Sequence, residues 1–445
     1  MVENDTVNPT SSRRQEMVAL KARSLSPLPL SLVVRRCWVR LQVPLLRRWT
    51  FSMAKVQAIE EETLPFYHQK HYYPVKIGQV FNSRYRVIAK LGYGAYSTVW
   101  LAWDDSAKEY TSLKVSIQLE DNAQISPILN EVSMLQRLQS FADKDHPGLD
   151  FTRLSYDIFQ LGSPSGCHYC IASKPQGNSV RTLQETFPNR RLPKLLVKSL
   201  IHRLYFSVNW LHATCGVAHT DILPQNVLMQ IEDDTSLKDI EDQESRDPSV
   251  PITRNNGDVT TIVYRSRPTM LELSGHPILT DFGQMRLVEG CKNQDWWMPD
   301  LYRAPEVLLQ LPWGFPVDIW SIGVMTLELL EGKNLFDPID HVHCQYVLPL
   351  ALAQYIGYLG PPPLDIVRQS PLFETYFDAD GNWISDLPIP ETSLESFVTT
   401  IPPGEEKDQF LRFIRKILTW DQEARATSNE IILDEWLTRP VEAML

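Results

Sequence analysis

A series of short motifs stands in one order along this 445-residue chain, and the order constrains the fold more than any member does. A glycine turn comes first, LGYGAYSTVWLAWD from Leu91, followed by Lys114 in TSLKVSI and then Glu131. HTDILPQN brings Asp221 and Asn226, TDFG brings Asp281, and RAPE brings Glu306. Asp318 in FPVDIWSIG and Arg425 close the series. Taken singly, each is weak. Gly92 and Gly94 would let backbone N–H groups approach a polyphosphate with no Cβ in the way, but a plain hairpin turn has the same look. Ser97 occupies the place of a third glycine, and the strand-like flanks on both sides exclude a dinucleotide fold, whose turn opens a helix. A lysine inside an apolar strand is costly to bury unless an anion meets it, and Glu131 on the next helix can be that anion. Asp221 is placed to take or orient a hydroxyl proton, while Asn226 and Asp281 offer hard oxygens to a magnesium ion. Chance assembly of the whole set in this order is implausible.

Periodicity divides the chain in two. RYRVIAKL, STVWLAWD and YTSLKVSI alternate as strands from Arg84 to Ser116. Asn122 to Gln139 reads as a helix, with Ile128, Val132, Leu135 and Leu138 at helical spacing. LDFTRLSYDIFQL and HYCIAS add two strands. After Gly177 the pattern turns helical, and FPVDIWSIGVMTLELLEG is apolar almost all round, hence buried. These features predict an α+β, bilobal fold: a small β-rich lobe over about 80–173 and a larger helical lobe over about 174–440. Order is expected to begin near Tyr72, with residues 1–70 a basic, disordered extension and 71–445 one domain. Residues 231–247 hold eight acids and two bases, so the stretch from Ile231 to Pro277 is expected to be an acidic surface insert that need not pack. No internal repeat is visible.

Charge is unevenly spread. Residues 1–55 carry ten Lys/Arg against three Asp/Glu, whereas the whole chain is at −11, which leaves the remainder strongly acidic. Such a body argues against nucleic acid as the main ligand and suits a basic partner, although solubility alone also favours acidic surfaces. No run of about eighteen apolar residues is present, so no membrane span is expected. The Arg- and Leu-rich N-terminus has the composition of an organelle presequence, and equally of a basic tail. Cys167 and Cys170 form a lone C-x-x-C without the second pair that zinc would need, which makes them structural strand residues.

The motif series resembles the eukaryotic protein-kinase signature set and spans roughly residues 84–437. YYPVKIGQVFNSRYRVIAKLGYGAYSTVWLAWD, HTDILPQN and the acidic insert ahead of DFG are more narrowly similar to the SR-protein kinases, in a fungal-type branch. The resemblance implies a protein-kinase fold and a serine/threonine kinase that uses ATP and Mg²⁺ on basic Arg/Ser-rich, splicing-factor-like proteins. It further implies nucleotide contacts from Leu91, Gly92, Gly94, Ser97, Val99 and Lys114. Catalytic roles would fall to Asp221, Lys114 and Glu131, with metal contacts from Asn226 and Asp281. A monomer in cytoplasm and nucleus is expected, or a mitochondrial protein if residues 1–55 are a presequence. Within the helical lobe, Asp318 is expected to cap the catalytic loop, Glu306 and Arg425 to pair, and His219 to pack with Phe282 and Leu135.

Two departures leave the activity open at the level of sequence. Leu223 stands where the family's loop has a lysine, and Gln225 supplies no replacement cation. The segment QMRLVEGCKNQDWWMPDLYR has no Ser or Thr, Tyr302 is its lone hydroxyl, and Thr220 replaces the arginine that would grip a phosphate there. An active enzyme is therefore expected to order this segment without phosphorylation, and Trp296 and Trp297 can either pack it down or stand exposed for a partner. The competing readings are an active kinase, an ATP-binding pseudokinase scaffold, and an ATP-independent interaction protein.

Overall fold

The computed structural model describes residues 58–439, except 66, 68–70, 120–125, 144, 164–165, 257–258 and 270–274. The basic N-terminal segment, with its expected disorder or presequence, lies outside the described residues. Alternating sequence becomes an antiparallel sheet of six strands: β1 (Val80–Phe81), β2 (Tyr85–Gly94), β3 (Ser97–Asp104), β4 (Glu109–Ser116), β5 (Ser155–Ser163) and β6 (Gly166–Ser173). Their spatial order is β1-β2-β3-β4-β6-β5. Helix α1 (Pro127–Gln139) lies between β4 and β5 in the chain and buries Ile128, Val132, Leu135 and Leu138, the residues its spacing selects. Positions 122–125 of the expected helix lie outside the described residues; α1 opens at Pro127 after an extended Ser126, and a proline is at home in a first turn, where its missing N–H has no intrahelical partner. Cys167 and Cys170 both sit on β6, the first half-buried and the second buried.

β7 (Gln176–Ser179) follows β6 after a two-residue link, and helix α2 (Val180–Glu185) leads into the larger lobe. Helix α3 (Lys194–Trp210) is buried from Leu196 onward, and the lobe later gains β8 (Val217–Ala218) and β9 (Val227–Gln230). Helix α5 (Pro316–Glu331), one insert later, is buried from Val317 to its end, as its all-round apolar sequence predicts. It ends at Gly332 in the left-handed region, φ 70°, where a Cβ would stand 2.0 Å from the Asn189 carbonyl oxygen, so glycine is required twice over. Arg425 bonds Glu306 through two nitrogens at 2.7 and 3.0 Å, both side chains buried, and so ties the end of the chain to the lobe's centre.

The insert departs from expectation. Its helix α4 (Thr235–Arg246) presents Leu237 and Ile240, and with Ile231 these pack against Ile88, Ala89, Leu101 and Tyr110 of the small lobe. Tyr110 donates to Glu241 at 2.5 Å, and Tyr264 meets Trp100 edge-on at 5.8 Å. An acidic composition hid one apolar stripe, and that stripe was enough to dock the helix. Order also begins before Tyr72. Lys90 on β2 is buried, and its ammonium is paired with Glu61, which belongs to a 3-10 turn at Glu60–Thr63. A further bond goes to the Tyr264 carbonyl oxygen at 3.1 Å. A buried ammonium left without a carboxylate costs several kcal/mol, so the turn and the insert hold each other in place through one lysine.

His202 on α3 shows how the larger lobe depends on pH. Its ring bonds the Ile432 carbonyl oxygen at 3.0 Å, and burial lowers its pKa to about 4. The neutral form stabilises the fold fully above the ordinary value of 6.5, and that contribution is lost as pH falls toward 4. Between pH 7 and pH 5 wild type should lose about 2 kcal/mol more than His202→Gln in urea unfolding. Equal losses would refute this assignment.

Candidate active site

A cavity of about 740 Å³ opens between the lobes, and every residue expected at the site finds a place on its wall. Leu91, Gly92, Gly94, Ser97 and Val99 line it from the β2–β3 hairpin, in which Gly94 pairs with Ser97. A Cβ on Gly92 or Gly94 would meet nothing within 4 Å. Packing therefore does not demand glycine at either position, which leaves approach of a ligand to the backbone as the physical reason. Lys114 is held on β4 between Val99 of β3 and Ile171 of β6. Its Nζ lies 2.6 and 2.8 Å from the two carboxylate oxygens of Glu131 and 3.4 Å from Asp281 Oδ1. Burial alone would lower the lysine pKa, but Asp281 and Glu131 outweigh it and raise it. Lys114 in turn holds the Asp281 carboxyl below its ordinary value despite burial.

The loop between β8 and β9 carries Asp221 and Asn226. The Asn226 amide nitrogen donates to both the backbone and the carboxylate oxygen of Asp221, each at 2.8 Å. Both partners are acceptors, so the amide orientation is settled and its carbonyl oxygen remains for another ligand. Burial, with Asp281 second, pushes Asp221 up to about 7, the Asn226 bond opposing. Asp318 accepts from the backbone N–H of His219 and of Thr220 at 2.7 Å each, the cap expected from sequence. His219 meets Phe282 edge-on at 5.6 Å, in one core with Leu135. Thr220 and Asp281 both adopt positive φ, 68° and 65°, a conformation costly for residues with a Cβ. Oxygen donors from Asn226 and Asp281 suit Mg²⁺, which takes few protein ligands and completes its shell with phosphate and water. Leu223 does not line the cavity; it packs, partly buried, against the helical core.

Neutral and cationic contacts take the place of a phosphate on the segment after DFG. Trp297 Nε1 donates to Thr220 Oγ1 at 3.0 Å, and Thr220 Oγ1 donates to the Gln284 carbonyl oxygen at 2.8 Å. Arg286, in a two-residue strand Arg286–Leu287 paired with β8, stacks on the Trp297 ring at 3.6 Å. Trp296 is half-exposed, with Arg303 over its ring at 4.2 Å. Tyr302 is buried and bonded to Glu328, so the segment's lone hydroxyl faces inward. Sequence reasoning missed Asn130, whose amide donates to the Gly283 and Met285 carbonyl oxygens at 2.9 and 3.0 Å and fixes α1 to the same segment. Its position next to Glu131 was the available signal. Tyr72 was also missed as a site residue: its hydroxyl donates to the Gly94 carbonyl oxygen at 3.0 Å, from outside the glycine turn.

Comparison of the chain with known proteins gives its family. The protein kinase domain family model matches residues 259–437. A serine/threonine protein kinase of Aspergillus fumigatus is 35% identical over 387 residues, covering 85% of this chain and 91% of the relative. The chain belongs to the serine/threonine protein kinases. Within them it is similar to protein kinase dsk1 of Schizosaccharomyces pombe, 27% identical over 374 residues, 64% of this chain and 68% of that protein. The serine/threonine-protein kinase SRPK of Physarum polycephalum is 26% identical over 402 residues, covering 83% and 90%. The bilobal kinase fold expected from the motif order is thus established, and none of these relatives supports the pseudokinase alternative.

The tryptophan lock of this kinase is testable apart from catalysis. Trp297→Ala removes a partly buried cation–π stack and an indole hydrogen bond, together about 2 kcal/mol of local order. Limited proteolysis within residues 287–303 should accelerate roughly tenfold or more, because cleavage follows the population of the opened segment. An unchanged cleavage rate would mean that the stack does not hold the segment.

Proposed function

We propose that the kinase transfers the γ-phosphoryl group of ATP to serine side chains of basic, Arg/Ser-rich proteins. What carries the reading is the gathering of Lys114, Glu131, Asp221, Asn226 and Asp281 on one cavity wall beneath a glycine turn. In this reading Asp221 takes the hydroxyl proton of the acceptor serine, and Lys114, held by Glu131, grips the α- and β-phosphates. Asn226 and Asp281 hold Mg²⁺, which when bound offsets phosphate charge during transfer. Leu91, Gly92, Gly94, Ser97 and Val99 cover the nucleotide. The Asp221 carboxylate form grows as pH passes about 7, and Mg²⁺ beside Asp281 would ease its ionisation by removing a neighbouring negative charge.

The basic-substrate part rests on the acidic balance of the chain and on the names of the SR-protein kinase relatives, one of which is a human SRSF protein kinase 3. The domain would begin ahead of residue 71, since Glu61 completes the small lobe. Cytoplasm with nuclear access and a monomeric state go with this reading. The test is transfer of labelled phosphate from ATP to an Arg–Ser repeat peptide, against a peptide with Glu in place of Arg. Preference for the basic peptide by at least about tenfold is expected. Equal use of both would remove the substrate assignment and leave the kinase assignment standing.

A further inference from the structure

The glycine turn is held from its outer side by a residue that comes ahead of the first strand. Tyr72 precedes β1, and its backbone makes an antiparallel bridge to Ile117, one residue past the end of β4. Beside that bridge the Gln118 N–H donates to the His71 carbonyl oxygen at 2.8 Å. From this anchor the Tyr72 hydroxyl reaches the turn, 3.0 Å from the Gly94 carbonyl oxygen and 3.3 Å from that of Ala95. The Tyr96 carbonyl oxygen accepts from the same anchor, through the Ile117 N–H at 2.9 Å. Burial pushes the Tyr72 phenol up to about 12, so it keeps its donor hydrogen near neutral pH. Gly94, Ala95 and Tyr96 line the cavity, whereas Tyr72 does not.

A trans peptide is planar, and its N–H points opposite to its C=O. Among the described residues no peptide is cis. With the Gly94 and Ala95 oxygens both turned toward one outer hydroxyl, the N–H groups of Ala95 and Tyr96 turn the other way, toward the cavity. Two successive N–H groups aimed to one side form a concave donor pair of the kind that takes an anion. Anchoring residues 71–72 needs only the backbone bridge and the ring, which stacks on Tyr67 at 5.4 Å. The hydroxyl is the part that acts on the turn. We infer that Tyr72 is a positioning residue for the phosphate end of the nucleotide: its hydroxyl fixes two peptide planes of the turn so that the Ala95 and Tyr96 N–H groups meet the terminal phosphates. A turn fixed in advance has less freedom to lose when the nucleotide binds.

This inference rests on the nucleotide reading of the cavity and deepens it. The variant is Tyr72→Phe, which keeps the ring and removes the hydroxyl alone. The probes are MgATP and adenosine, which share the base and the ribose but differ in the phosphates. Each is titrated calorimetrically into the full chain, wild type and variant. The Kd is a property of folded molecules, and the fitted stoichiometry reports their fraction, so a partly unfolded variant remains informative. Tyr72→Phe should weaken MgATP by roughly fivefold or more, the worth of one hydrogen bond that orders the site, and should leave adenosine within about twofold. A role confined to the stability of the small lobe would not separate the two ligands. An unchanged Kd for MgATP, or an equal weakening of MgATP and adenosine, overturns the inference, while binding of MgATP by wild type leaves the nucleotide reading intact. Failure of wild type to bind MgATP would overturn both together.

Discussion

Asp281→Asn should lower phosphate transfer to the Arg–Ser peptide by at least about a thousandfold while leaving the fold in place. The substitution keeps the shape of the side chain and removes one negative charge. Asp281 lies 3.4 Å from Lys114, and its carboxyl stays ionised because that lysine outweighs burial. Without the charge, Mg²⁺ loses its hardest protein ligand and Lys114 loses one of its two counter-charges, leaving Glu131 alone. The melting temperature without nucleotide should move little, because the side chain is about half exposed to the cavity. The shift in melting temperature on adding MgATP should shrink sharply, since a ligand stabilises only by binding the folded state. Activity within tenfold of wild type would mean that the metal is held elsewhere, and the assignment of Asp281 would fall.

Much of this centre could be read from residue order, because each element is a local motif whose chemistry is carried by one or two side chains. Lys114 met Glu131, Asp318 met the loop N–H groups, and Glu306 met Arg425 as their types required. Contacts between segments far apart in sequence were harder to read. Lys90 is one charged residue in a strand, and nothing in its neighbourhood announces a partner 29 residues earlier. The acidic insert conceals Leu237 and Ile240 among carboxylates, so its mean composition reads as solvated while its one apolar face is docked on the other lobe. Ser112, Ser155 and Ser173 belong to three strands, and only the register of the sheet makes them neighbours. The tryptophans after DFG lay between these cases: sequence showed that no phosphorylated Ser or Thr could order the segment, but not that Thr220 and Arg286 would receive Trp297.

Leu223→Lys is the substitution expected to raise activity, and its logic runs opposite to that for Asp281. In the loop as it stands, no cation of that loop reaches the cavity: Gln225 lines the wall and Leu223 turns toward the helical core. Transfer spreads negative charge over the moving phosphoryl group, and a missing cationic donor costs about 3 kcal/mol at the transition state, on the order of a hundredfold in rate. Leu223 is only partly buried, so the lysine stem can cover the same apolar surface while its ammonium extends toward Asp221 and the cavity. Some of the gain is lost because the surrounding loop evolved without that charge and the new side chain must be ordered. A rise in kcat of roughly tenfold or more is therefore expected, with a smaller change in KM for ATP, because the cation acts mainly on charge that develops during transfer. Leu223→Met controls for the altered shape and should leave kcat within about twofold. If lysine and methionine give the same kcat, the rate of this kinase is limited by something other than the missing cation, and the slow step lies in the opening of the cleft or the release of product.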